Sequence, residues 1–311
     1  MGCRYTVVVS HILAQHEVLL STPAGSMYTG LSSWCNIAYI CHSLVLTERI
    51  VNCPGIGNFS NEKPWSTLLR PVPPPQCNSN VKFLLLTRMN LDNPVLISWK
   101  DSSIEESHYD SSKWTVFLNH GWLSKPETFI AIAQRYLSCV DANIFIVDYR
   151  DVAANKNYFQ AVSNIRVVAA QIAQFVEFLI EEKGACKCMF HLVGMSLGAH
   201  LAAYVCKRVR GLQRLTADFN FIINDGKKQP GCSGISSNGC SHSRALSLYL
   251  YSICSNNCTF VGFDSRNNKK GERDCVPMSL ETMYYRNTGK YYVRTSANAP
   301  YCLRKNDCIP F

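Results

Sequence analysis

The sequence predicts an α/β fold with a central, mostly parallel sheet. Three observations carry this. Apolar segments of strand length alternate with segments of helical periodicity from Val81 onward, the pattern of strands joined through helices. Two of those strands, Trp114–Leu118 and Asn143–Val147, stop abruptly at polar turns. A third runs into Gly194-Met195-Ser196-Leu197-Gly198, a Gly-x-Ser-x-Gly turn followed at once by a helical run.

Taken in order, Val81-Lys82-Phe83-Leu84-Leu85-Leu86-Thr87 predicts the first strand. Trp114–Leu118 predicts a buried strand ending at Asn119-His120-Gly121-Trp122, and Asn143–Val147 another ending at Asp148-Tyr149-Arg150. A long amphipathic helix follows, with Ala161, Ile165, Val168, Ala169, Ile172, Phe175, Val176 and Leu179 at helical spacing. Glu181-Glu182-Lys183-Gly184 ends it. Met189–Val193 reads as the next strand, and Leu201–Val205 as the helix after the Gly-x-Ser-x-Gly turn. Residues 1–72 show no convincing periodicity, and Pro71-Val72-Pro73-Pro74-Pro75 reads as a stiff boundary. A poorly ordered segment at 1–72 and one domain at 73–311 are therefore expected.

Gly-x-Ser-x-Gly between a strand and a helix is the turn that lifts a serine hydroxyl off a sheet edge. Glycine at Gly194 and Gly198 lets the helix approach the strand closely. A serine placed so is a nucleophile, provided that a base takes its proton.

Composition narrows the setting. The chain has 311 residues, 47% of them hydrophobic, enough for a sizeable core. The net charge of +9 is clustered at Lys207, Arg208, Arg210 and Arg214, at Lys227 and Lys228, and at Lys269, Lys270 and Arg273. Such clusters are solvated basic faces or contacts for anionic membrane surfaces. No nucleic-acid motif accompanies them. Of 16 cysteines, twelve lie from Cys77 onward, and none forms a paired Cys-x-x-Cys zinc pattern. A disulfide framework in a secreted protein is the better reading. Asn58-Phe59-Ser60 and Asn257-Cys258-Thr259 are potential glycan acceptors. No clean signal peptide is present, and no apolar run reaches about 18 residues, the length of a membrane helix. Met1–Thr6 matches the myristoylation pattern, which the cysteine content argues against.

From about Gln76 to its end, the chain resembles the pancreatic-lipase-like hydrolases, and within them the secreted phospholipases A1 of wasp and ant venoms. The resemblance rests on Asn119-His120-Gly121-Trp122, Val147-Asp148-Tyr149, Gly194–His200, Gln229-Pro230-Gly231-Cys232, Cys240–Ala245, Tyr291–Ser296 and Pro300-Tyr301-Cys302, in the family's order. It implies an α/β-hydrolase fold in which Ser196 attacks a fatty-acyl ester of a phospholipid or other glycerolipid at a lipid interface. The N–H groups of Leu197 and Trp122 would form the oxyanion hole. That chemistry calls for no metal or organic cofactor, no nucleic acid and no stable protein partner. Met195 stands where the family usually has histidine, a position that is not the base. His120 and His191 are expected to be structural. A Cys232–Cys240 disulfide fits the family, and Cys77–Cys139 is a second candidate pair. The chain stops too soon after His242 for a separate C-terminal β-sandwich.

The resemblance also exposes a gap. The family's aspartate and histidine follow the serine in Gly-Leu-Asp-Pro-like and Ile-His-Thr-like strand ends, with a lid between them. Neither motif occurs here. Gln213–Thr216 resembles the start of the aspartate strand, and Ala217-Asp218-Phe219 resembles a segment beyond the histidine, so the chain lacks part of the sheet and the lid after Thr216. Three accounts stand: a segment missing from the sequence, a non-catalytic homologue that binds or stores lipid, and an active enzyme with another arrangement. Asp218 or Asp225 with His242 would keep the order Ser, Asp, His, although each matches a non-catalytic position. The truncated sheet is expected to leave an apolar edge uncovered.

Overall fold

The computed structural model describes residues 6–8, 50–67, 72–212, 219–234, 237–254, 258–264, 275–280, 282 and 289–303. Twelve strands are found among them: β1 (Thr6–Val8), β2 (Ile50–Cys53), β3 (Gly57–Ser60), β4 (Lys82–Leu86), β5 (Val95–Ile97), β6 (Trp114–Asn119), β7 (Ala142–Asp148), β8 (Phe190–Met195), β9 (Phe219–Ile223), β10 (Val261–Asp264), β11 (Cys275–Pro277) and β12 (Gly289–Val293). Five helices accompany them: α1 (Ile130–Cys139), α2 (Arg150–Ala153), α3 (Tyr158–Glu181), α4 (Leu197–Arg208) and α5 (Ser237–Ser252).

The main sheet has the order β1-β8-β6-β7-β4-β5. Its first four strands run parallel, and β4 and β5 close it antiparallel. The strands β6, β7 and β8 are buried along nearly their whole length. That is why they read as continuous apolar runs: helices cover both faces of a parallel sheet. On one face α3 and α4 pack over Phe83, Phe117, Phe145 and Phe190. Phe175 of α3 stacks on Phe83 with ring centroids 4.1 Å apart. On the other face, α1 and α5 cover Val116, Leu118, Ile144 and Ile146.

The helix α3 begins where Asn157 accepts hydrogen bonds from the N–H groups of Phe159 and Gln160 at 3.1 and 3.3 Å, a side-chain cap on two otherwise unpaired donors. Its 24 residues contain an 18-residue stretch with a mean hydropathy of 1.2, which by length and composition suffices to cross a membrane. Here it is the central core helix, with Ile165, Val168, Ile172, Val176 and Leu179 fully buried.

Downstream of α4 a second sheet of order β11-β10-β12-β9 forms, with β12 and β9 parallel. The helix α5 joins the two layers. Tyr249 and Ile253 enter the main core, while Leu248 packs with Phe260 and Val293 of the second.

Three expectations are corrected. The edge of β8 is not left open: β1 pairs with it in parallel, Thr6 to Val8 against Val193 to Met195. The packed unit also begins before residue 73. Cys53 and Phe59 of the β2–β3 hairpin bury against Val167 and Ala170 of α3. The proline-rich stretch is strapped to the same helix, Ser163 donating to the Pro73 carbonyl at 2.6 Å and Gln160 to that of Pro74 at 3.0 Å. Third, Cys77 does not pair with Cys139. Cys77 bonds Cys53, and Cys139 bonds Cys254. The reason is the sheet itself: Cys77 lies with α3 on one face, and Cys139 ends α1 on the other. Cys232 and Cys240 are bonded, as are Cys186 with Cys188 and Cys258 with Cys302. The Thr216–Ala217 junction lies outside the described residues.

Truncating Phe175 to alanine removes the ring that stacks on Phe83 and should cost about 3–5 kcal/mol of stability. Urea unfolding of Phe175→Ala, read by far-UV circular dichroism, checks this.

Candidate active site

Ser196 stands between β8 and α4 with φ 54° and ψ −119°, left-handed backbone that a side-chain-bearing residue adopts only under constraint. The constraint comes from the two glycines. A Cβ on Gly194 would lie 2.2 Å from the Gly198 carbonyl oxygen, and a Cβ on Gly198 would lie 2.2 Å from that of Asn119. The first turn of α4 therefore rests directly on the ends of β8 and β6. Ser196 is half-buried, and Leu197, the first residue of α4, is fully buried. As the first helical residue, Leu197 has an N–H with no intrahelical acceptor, at the positive end of the helix dipole.

The loop after β6 closes over this turn. A Cβ on Gly121 would meet the Met195 carbonyl oxygen at 3.2 Å and the Ser196 Cβ at 3.3 Å. The Gly121–Trp122 peptide thus lies against the Ser196 turn, and the Trp122 N–H has no backbone acceptor among the described residues. The structure brings Ser196, Leu197 and Trp122 into one place.

The segment after β7 holds that loop. The Leu123 N–H donates to the Ala153 carbonyl at 2.9 Å, and Trp122 Nε1 donates to that of Asn155 at 2.7 Å. The Trp122 ring meets Tyr158 edge-on at 5.1 Å. Tyr149 donates its hydroxyl to the His120 carbonyl and stacks on the His120 ring at 4.1 Å. Burial pushes the Tyr149 phenol up and the His120 imidazole down, so both are neutral near pH 7. Asp148 anchors the start of this segment. Burial raises its carboxyl, but hydrogen bonds and charge from Arg150 outweigh burial and hold it below the usual carboxylate range. Both Asp148 oxygens accept from Arg150 Nε at 2.9 Å, and Arg150 also reaches Glu127 at 2.8 Å.

The remaining histidines and the substitute acids stand differently. His191 is buried within β8, 6.3 Å from the Tyr136 ring. His242 lies on α5, where burial lowers its pKa. Asp225 pairs with Arg294 at 2.8 Å beside the second sheet, and Asp218 lies outside the described residues. Among the described residues no hydrogen bond reaches the Ser196 hydroxyl. No sequence pattern points to the supporting carbonyls of Ala153 and Asn155, whereas the Val147-Asp148-Tyr149 motif marks the start of the segment that carries them.

The family model named Lipase matches residues 50–218. The chain belongs to the lipase family. Its α/β architecture is that of an α/β-hydrolase. It is 37% identical to the pancreatic lipase-related protein 2 of Myocastor coypus over 164 residues, covering 50% of this chain and 35% of that protein. It is 33% identical to the human inactive pancreatic lipase-related protein 1 over 168 residues, 52% of this chain and 36% of that one. It is 26% identical to a phospholipase A1 of Vespa affinis, covering 88% of this chain and 99% of that protein. The chain therefore spans about a third of the length of the pancreatic relatives it matches, and almost all of the wasp enzyme.

Two outcomes test the site's construction. Gly198→Ala must push α4 off β6 and should cost at least the upper part of the roughly 1–3 kcal/mol of an overpacked core, measured by thermal unfolding. The Asp148 carboxyl is depressed in the folded state, so its stabilising contribution is present above its unfolded pKa and is lost as pH falls through the folded value. Stability measured between pH 6 and pH 2 (roughly spanning the carboxylate range) should fall less steeply in Asp148→Asn than in the parent.

Proposed function

We propose that the protein is a secreted carboxylic ester hydrolase of the phospholipase A1 and lipase type, acting on a fatty-acyl ester of a glycerolipid at a lipid interface. The observation that carries this reading is the strained Ser196 turn with the Gly121–Trp122 peptide packed against it. In this reading the Ser196 hydroxyl attacks the ester carbonyl. The resulting oxyanion takes hydrogen bonds from the N–H groups of Leu197 and Trp122, worth about 3–4 kcal/mol per donor in well-studied enzymes. The alcohol leaves, and water then releases the fatty acid from the acyl-serine. The wasp phospholipase A1, matched over 99% of its length, supports the substrate class. The disulfides support an oxidising, extracellular location.

A second reading has its own observations. The Ser196 hydroxyl lacks a hydrogen-bonded base among the described residues, and one pancreatic relative carries the name inactive. On that reading the fold binds lipid without cleaving it.

A fluorophosphonate probe separates the two. The enzyme reading expects one covalent label on the folded protein, located at Ser196 by peptide mass spectrometry and absent from Ser196→Ala. Folded protein that takes no label, yet shifts its melting temperature with phospholipid vesicles, supports the second reading and refutes the first.

A further inference from the structure

His120 sits immediately before the loop that packs on Ser196, and its side chain is fully enclosed. Its Nδ1 lies 3.1 Å from the carbonyl oxygen of Gly121. A carbonyl oxygen only accepts, so Nδ1 carries the hydrogen and donates it. The other ring nitrogen, Nε2, is buried without a hydrogen-bond partner. A buried polar atom left unpaired costs free energy, and a leucine here would avoid that cost. The hydrogen bond to Gly121 is therefore the polar contact that the imidazole makes in return. The ring is also fixed in orientation, since it stacks almost flat on Tyr149 with an interplanar angle of 12°.

That contact bears on the next N–H. A trans peptide is planar, so its carbonyl and N–H point in opposite directions. The Gly121 carbonyl is held twice, by His120 Nδ1 at 3.1 Å and by the Ser124 N–H at 3.2 Å. Fixing that oxygen fixes the opposite end of the same plane, the Trp122 N–H. Gly121 has no side chain to resist rotation of this peptide, and the loop continues through Leu123 with φ 53°.

We propose that the His120 side chain is a positioning residue which, through the Gly121 carbonyl, sets the direction of the Trp122 N–H toward the oxygen of a bound ester. This rests on the ester-hydrolase reading for its purpose, but not for its geometry. His120 acts through one peptide plane.

The test compares His120→Asn, His120→Gln and His120→Leu. Asparagine carries its amide nitrogen as many bonds from Cβ as Nδ1 and can donate to Gly121. Glutamine carries it near the Nε2 position, and leucine has no donor. Crystal structures of the three variants should show the Gly121–Trp122 peptide kept in the asparagine protein and rotated in the other two. The rate of fluorophosphonate labelling at Ser196 should fall about tenfold or more in the glutamine and leucine proteins, part of the roughly 10²–10³ that a whole oxyanion donor supplies. In the asparagine protein it should recover to within about threefold of the parent. An unchanged peptide in both glutamine and leucine variants overturns the proposal, as does an asparagine variant that behaves like leucine. If leucine fails to fold, the asparagine and glutamine pair, both polar, decides by itself. A parent protein that takes no label refutes the hydrolase reading alone, because the peptide orientations still decide the role of His120.

Discussion

The approach of α4 to the ends of β6 and β8 is the contact on which the site depends. Carbonyl oxygens of Asn119 and Gly198 stand where the side chains of residues 198 and 194 would begin. No other residue type fits either place without moving a strand or a helix. Once the helix is seated there, Ser196 has no relaxed backbone available, and its hydroxyl is lifted out of the sheet. The stiffness behind this strain comes from the core below. Phe83, Phe117, Phe145 and Phe175 interlock beneath the strands, so the sheet cannot yield to relieve the turn.

The other half of the site is built differently. The loop after β6 packs its His120 and Trp122 side chains against elements that follow β7. Its conformation is borrowed from the segment after β7, which supplies a carbonyl for Leu123, another for the Trp122 indole, and the Tyr149 ring and hydroxyl for His120. Asp148 and Arg150 lock the base of that segment to Glu127 just ahead of α1. One half of the site is thus set by what cannot fit, and the other by hydrogen bonds between two adjacent strand ends.

The sequence made the first half legible and left the second largely hidden. The strands β6, β7 and β8 are readable because burial on both faces favours nearly continuous apolar runs. The helix α3 is readable because its stripe of Ile165, Ile172, Val176 and Leu179 repeats over about four turns of helix. The turn at Ser196 announced itself through its two glycines. By contrast β1, β5 and β11 are three residues long, too short to show any period. The hairpin at β2 and β3 contributes few buried apolar side chains, Cys53 and Phe59 among them, which no pattern rule detects. The partner of Cys77 is hidden because the sequence does not say which face of a sheet a cysteine occupies. The clamp on the loop is carried by carbonyl groups, which every residue has, and only Tyr149 and His120 could have signalled it.

The docking of the β2–β3 hairpin on α3 has a consequence for the order of events as the chain is made. A two-stranded hairpin is marginal by itself in water. Its platform, Val167 and Ala170, lies more than a hundred residues downstream. Cys53 and Cys77 are thus synthesised well before the surface that aligns them exists. During biosynthesis the β2–β3 hairpin must wait for its partner surface until the long core helix has emerged and folded onto the sheet.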